Sequence, residues 1–369
     1  LKSLFLVLAV LAFAFYSYGA HFLTTILVIS FLVFFHELGH FSVARILGVN
    51  VQVFSIGFGE RLCGWRFGNT EYRLSAIPLG GYVQLKGQSD TDPAHKNFDP
   101  DSYNTLSPFK RILILFAGPF FNFVLAFLIY LVLAFGGVSK LAPTVGEILP
   151  ESAASGVLQK GDVVLSVDGA SVKEWSDIGK NVKQSEMKLV VKRGNETLNL
   201  NLTPKVGESK NVFGESVKKP LIGITPNGDV VKVGFDGTET LAFAWSETKT
   251  AATLIAQSVP KLIFGDVPVK EMGGIVAIAD ITTKAAKVSF ETVLLLAALI
   301  SVNLGVLNLL PLPVLDGGHI VFNLYEMLFR REVNERVRVV LTYVSMAILL
   351  TFMVFTVFND LLRIGGYYG

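Results

Sequence analysis

Long stretches of this chain carry almost no charge, and between them the apolar positions fall at shorter, regular intervals. Four runs are long enough to cross a bilayer as helices: residues 22–49, 111–136, 290–310 and about 339–358. Roughly 20 apolar residues at about 1.5 Å each span the hydrocarbon layer. A fifth run, residues 4–15, is shorter and is followed by Ser17, Gly19 and Ala20. It reads either as a cleaved leader or as a short extra helix. Because apolar sequence resumes straight after His21, the retained helix is the preferred reading. Residues 51–85 switch to a period of two, punctuated by glycines at 57, 59, 64, 68, 80, 81 and 87, which predicts hairpins. Residues 89–107, rich in Asp, Asn, Ser and Pro, read as a polar loop.

Beyond Ser139 the pattern becomes that of a water-exposed module. Residues 163–167, 189–192 and 198–202 are short strands, with turns at Gly161-Asp162, Asp168-Gly169 and Gly194-Asn195 and a helix over 174–183. A few more strands follow around 221–224 and 230–235. Residues 239–263 have the spacing of an amphipathic linker helix, lying on a membrane or on protein. The expected division is therefore 1–20 (apolar segment), 21–138 (membrane core), 139–206 (mixed α/β domain), 207–286 (β-rich segment and linker helix) and 287–369 (second part of the core).

Composition agrees with a polytopic α-helical membrane protein. Of 369 residues 51% are hydrophobic and 17% charged, where a soluble domain averages about 25% charged; the mean hydropathy is +0.53. A net charge of +2 without basic blocks argues against nucleic acid as a partner. One cysteine, Cys63, excludes an intramolecular disulfide and a cysteine-rich metal site. The basic connectors are 45–111 and 330–338, and an excess of Arg and Lys marks the cytoplasmic side. The domain after Ser139 is then expected outside.

The chemistry sits in the first long run, where His36-Glu37-Leu38-Gly39-His40 reads H-E-x-x-H. Residues four apart share one face of a helix, so both imidazoles can reach one ion, with Glu37 beside them as a general base. Ionisable groups at membrane depth are costly and need a partner, for which a divalent cation is suited. A catalytic zinc takes three protein ligands and keeps one position open. Asp316 is the expected third ligand. It follows an apolar run, and Pro311, Pro313, Gly317 and Gly318 predict non-helical backbone around it. His319 is the rival, and Glu291 lies at the far end of the same run.

These residues resemble the site-2 protease family. The likeness rests on His36–His40, on Asn308-Leu-Leu-Pro311-Leu-Pro313-Val-Leu-Asp316-Gly317 and on the order of the spans. Phe54-Ser-Ile-Gly57-Phe-Gly59, Pro78-Leu-Gly80-Gly81-Tyr82, Gly118-Pro119-Phe-Phe-Asn122 and Ser301-Val-Asn303 are similar to the bacterial RseP type. The resemblance implies a Zn²⁺ endopeptidase of the bacterial inner membrane that cuts single-span proteins inside their membrane segments. Such substrates would include an anti-sigma factor or remnant signal peptides. It implies a PDZ domain over 139–206 facing the periplasm and binding a peptide or the substrate's outer region. It also implies substrate binding by Asn303, Asn308, Pro311 and Pro313, with the two asparagines contacting the substrate backbone, and a membrane-associated β-hairpin in 51–85 that adds a strand to the substrate. RseP carries two PDZ domains in tandem, whereas this chain shows one such segment. Two other classes fit parts of the pattern: a membrane scaffold with a peptide-binding module and a structural metal, and an ion or metal transporter using the intramembrane histidines. A structural site needs no Glu37, and the two halves show no inverted repeat.

Overall fold

The computed structural model describes residue 19 and residues 21–88, 97–211, 215–265 and 273–364. The 4–15 segment therefore lies outside the described residues, as does the stretch 89–96 of the polar loop. Contacts divide the chain into two units, one made of Leu1–Leu131 with Ala242–Gly369 and the other of Val132–Leu241.

The first unit is built on helices α1 (His21–Ile46) and α2 (Pro108–Gly136), with further helices returning to it after the second unit. Among the described residues four helices are long and apolar enough to cross a membrane: Leu23–Ile46, Pro108–Gly136, Phe290–Asn308 and Glu335–Arg363. The chain is a multi-pass membrane protein. α1 stops at a glycine in the left-handed region, Gly48 at φ 84°. There Val49 N–H bonds Ala44 O and Gly48 N–H bonds Arg45 O, which satisfies the last carbonyls. α2 begins with a proline at its first position, where the missing N–H costs nothing.

Between α1 and α2 the predicted hairpins form one long, bulged hairpin of β1 (Val51–Phe67) and β2 (Thr70–Leu85). Its two-residue turn puts Gly68, at φ 57°, at the first loop position, as a type II′ turn requires. Edge-to-face contacts of Phe54 with Phe34 and Phe41 fasten its base to α1, and Trp65 stacks on Tyr72 nearer the turn. After β2, Lys86 pairs with Asp101 at 2.6 Å and Asp99 at 3.0 Å, fixing the return of the loop. Those two carboxylates hold the Lys86 ammonium above its ordinary range.

The second unit has a four-stranded antiparallel sheet in the order β6 (Ala170–Ser171), β5 (Val163–Val167), β7 (Met187–Arg193), β8 (Glu196–Leu202). Alternate residues Met187, Leu189 and Val191 are fully buried, the period of a strand with one face on a core. The short helix α3 (Trp175–Asn181) supplies Ile178 to that core. Burial works to raise the Asp162 carboxyl, but the Arg193 guanidinium and the Gln159 N–H outweigh it and hold it low. Four further strands close the unit by long-range pairing. β3 (Val138–Leu141) pairs with β12 (Val230–Val233), and β4 (Val145–Ile148) with β11 (Ile224–Pro226). β9 (Lys205–Lys210) and β10 (Ser216–Leu221) form a separate hairpin.

The chain then enters α4 (Thr238–Phe264), the amphipathic helix expected over 239–263. Two helices were not anticipated. α5 (Ile275–Val288) packs against α1 through Thr25, whose hydroxyl lies 3.3 Å from that of Thr283. α7 (Asp316–Phe329) follows α6 (Phe290–Asn308), and α8 (Glu335–Ile364) completes the unit. The expectation of non-helical backbone at Asp316 is corrected. Extended Leu315 caps the helix and Asp316 is its first residue, where a carboxylate meets the positive end of the helix dipole.

Candidate metal centre

α1 places His36 and His40 one turn apart, their rings edge to face with centroids 4.8 Å apart. The two Nε2 atoms are 3.1 Å from each other. Asp316 Oδ2 lies 3.3 Å from His36 Nε2 and 3.5 Å from His40 Nε2. Both imidazoles are 12% exposed and the carboxylate 17%. Among the described residues this is the one cluster of three His, Cys, Asp or Glu donors close enough to share an ion.

The spacing decides what the cluster fits. Two atoms each about 2.0–2.1 Å from a tetrahedral ion lie about 3.3 Å apart. The three edges measured here, 3.1, 3.3 and 3.5 Å, are those of one tetrahedral face. The donor chemistry agrees. His40 Nδ1 is 2.8 Å from Ile114 O, and a carbonyl only accepts, so that nitrogen carries the hydrogen and Nε2 presents a lone pair. Two nitrogens and a carboxylate oxygen form a set suited to zinc, and three ligands leave a fourth position open.

The neighbouring backbone makes room. α2 passes so close to α1 that a Cβ on Gly39 would stand 2.3 Å from Ala117 O. A Cβ on Gly118 would stand 2.3 Å from His40 Nε2 and 2.8 Å from His36 Cε1. Pro119, one residue on, has no N–H for the α2 ladder, next to the turn whose Ile114 O accepts from His40. On the other side of the motif, Gly81 of β2 faces Glu37; a Cβ there would be 3.4 Å from Glu37 Cγ. The hairpin thus runs along the Glu37 side of α1.

Asp316 is held from both ends of α7. Gly317 and Gly318 lie against the Leu309–Pro313 backbone so tightly that a Cβ on either would come within 2.3 Å of a carbonyl oxygen. Two turns on, Glu326 accepts a 2.6 Å bond from Arg111 at the start of α2. Between them the buried Asn323 amide donates to His319 O and to the Tyr103 phenol oxygen. Burial pushes that phenol well above its ordinary range, with Arg111 and Asn323 pulling the other way.

The other predicted residues have separate places. Asn303 is half-buried on α6 and Asn308 is its last residue; Pro311 is exposed and Pro313 buried in the turns leading to Asp316. None of these four, and neither His319 nor Glu291, belongs to the three-donor cluster. Sequence reasoning missed Gly118 and the part played by Asn122. The side chain of Asn122 is fully buried and its amide nitrogen lies 3.1 Å from His36 Nδ1. A polar residue one turn after a glycine and a proline in an apolar helix was the available signal.

Comparison with known proteins covers the part of the chain that holds these residues. The model of peptidase family M50 matches residues 24–352. A Campylobacter jejuni protein named "Putative zinc metalloprotease Cj1068" is 50% identical over 367 residues, covering 99% of this chain and 100% of the relative. A Helicobacter pylori protein, also named a zinc metalloprotease, is 37% identical over 93% of this chain and 99% of its own length. A similar relative from Mesorhizobium japonicum is 35% identical over 90% and 96%.

Proposed function

The chain belongs to peptidase family M50, and from that premise we propose that it is a zinc-dependent endopeptidase hydrolysing peptide bonds inside the membrane segments of single-span proteins. The observation that carries this reading is the tetrahedral face of His36 Nε2, His40 Nε2 and Asp316 Oδ2, with Glu37 alongside and apolar helices around it. A zinc ion held there supplies Lewis acidity, polarising the scissile carbonyl and making an attacking water acidic near neutral pH.

The chain's own groups do the rest. Glu37, one residue from the first ligand, takes a proton from the attacking water on a carboxylate oxygen and returns it to the leaving amine nitrogen. Asp316 balances the charge gathered between the imidazoles. A substrate helix hides its carbonyls, so it must be extended before attack. Strand addition to the β1–β2 hairpin, which passes Glu37 at Gly81, would hold it so. Asn303 and Asn308 then bond the freed substrate backbone, while Pro311 and Pro313 shape the loop that delivers Asp316. In this reading residues 139–206 form a periplasmic PDZ domain that selects or retains the substrate, and the protein resides in a bacterial inner membrane. The arrangement of the basic connectors supports that orientation.

The test is a pair of variants assayed in detergent on a single-span substrate, with zinc measured by mass spectrometry. Glu37→Gln retains zinc and loses cleavage by at least about 100-fold, the scale of a general base. Asp316→Asn lowers the zinc content. Substantial turnover by Glu37→Gln would refute its role as base. A full zinc complement in Asp316→Asn would remove it from the ligands. Loss of zinc with unchanged peptide capture would favour the scaffold reading.

A further inference from the structure

The metal reading leaves one proton without a holder. If His36 ligates through Nε2, its Nδ1 must carry a hydrogen, and a buried N–H needs an acceptor. His40 has the Ile114 carbonyl for this purpose. The polar group placed against His36 Nδ1 is the amide of Asn122, at 3.1 Å and wholly buried.

The amide lies with its nitrogen toward His36, which suits the other tautomer, with the hydrogen on Nε2. In that orientation Asn122 Oδ1 is buried without a hydrogen-bond partner. A spare acceptor therefore sits on the same small group that touches the ring nitrogen. A half-turn about the last side-chain bond exchanges amide oxygen and nitrogen without moving anything else. We propose that Asn122 is a positioning residue for zinc. Its Oδ1 accepts from His36 Nδ1–H, fixes the tautomer with the lone pair on Nε2, and holds the ring plane toward Asp316 and His40. An amide is fitted to this because it pairs with either tautomer. It donates to Nδ1 when the site is empty and accepts from Nδ1–H when it is filled.

The support behind Asn122 is rigid. Its backbone carbonyl accepts from the Ser301 hydroxyl of α6 at 2.8 Å, and Ser301 is itself fully buried. The residue is thus tied to the helix that leads into Asp316 as well as to a histidine. Partners of this kind are worth about 10- to 100-fold in metal affinity.

The inference rests on His36 being a zinc ligand, and the experiment separates the two. Zinc release to a chelator is followed by stopped flow in the purified full chain and in His36→Ala, Asn122→Leu, Asn122→Asp and Ser301→Ala. Asn122→Leu, which removes the acceptor, should release zinc about 10- to 100-fold faster. Asn122→Asp keeps an oxygen in place and should release zinc within about 3-fold of the parent or more slowly, since a carboxylate partner makes the imidazole a better ligand. Ser301→Ala removes the α2–α6 bond behind Asn122 but leaves Oδ1 in place, and should speed release by less than about 3-fold. Release at the parent rate from Asn122→Leu would overturn the proposal. So would Asn122→Asp losing zinc as fast as the leucine variant, or Ser301→Ala matching it, since either would make Asn122 a packing residue. Should Asn122→Leu fail to fold, the aspartate and serine variants decide alone. Full zinc retention in His36→Ala would instead sink the underlying ligand assignment.

Discussion

Gly118 shows how little side-chain volume the centre tolerates. A methyl group there would have to occupy space within 2.3 Å of His40 Nε2, and neither the imidazole, fixed by Ile114 O, nor the α2 backbone can retreat far. Gly118→Ala is expected to abolish zinc retention and cleavage while the protein still inserts in the membrane. Gly136→Ala, at the end of the same helix where a Cβ meets nothing within 4 Å, should be neutral. Zinc content and turnover measured side by side check both. Retained zinc in the Gly118 variant would show that the helices part more easily than their spacing implies. At this scale the sequence was informative about donors and silent about their seating. His36, Glu37 and His40 follow from the period of a helix, and Asp316 from the scarcity of carboxylates at membrane depth. Gly118 and Asn122 act across a helix–helix contact, and no regularity along one segment encodes which residue of another helix stands opposite.

At the scale of elements, α7 was hidden because its first residues look like helix breakers. Pro311, Pro313, Gly317 and Gly318 suggest irregular backbone. The prolines instead build the turns before the helix, and the two glycines are there for contact with the Leu309–Pro313 backbone. α5 was hidden for another reason, being 14 residues long between two more obvious helices. For α7 the consequence is mechanical. Asp316 sits at one end of a 14-residue rod whose other end is pinned by Arg111–Glu326, with both side chains at most 20% exposed. Deleting one partner leaves a poorly solvated charge, a change that costs about 3–5 kcal/mol when the pair is fully buried and correspondingly less here. Glu326→Ala should therefore lower both thermal stability and zinc affinity. The exchange Arg111→Glu with Glu326→Arg should recover a good part of both. Thermal unfolding followed together with zinc titration checks this. An exchange no better than the single variant would mean that orientation in the local field, rather than the pair itself, holds α7.

For the whole molecule the placement of charges predicts a sidedness. The four apolar helices carry exposed Leu, Phe and Val over most of their length, the surface a bilayer would cover. Their connectors divide unequally. Arg45 lies in the last turn of the first span, Arg61, Arg66, Arg73 and Lys86 between the first two, and Arg330, Arg331, Arg336 and Arg338 around the start of the last. The unit Val132–Leu241 separates the second and third spans, so with all four crossing, a single span stands between it and each basic connector and it is expected opposite both. Its extent was less legible than its existence. Period-two pattern reveals strands, but the closure of the unit depends on Val138 facing Val233 and Ile148 facing Ile224, pairings made across most of its length. The single cysteine offers a direct test of sidedness, since Cys63→Ser leaves a chain without thiols. In that background Lys218→Cys, on the exposed face of β10, should react with a membrane-impermeant maleimide in intact spheroplasts, whereas Arg331→Cys, exposed between α7 and α8, should react only after the membrane is opened. The reverse pattern would put the second unit in the cytoplasm, where it could not meet a substrate's outer region, and labelling of both from outside would mean that α6, the one span between them, does not cross.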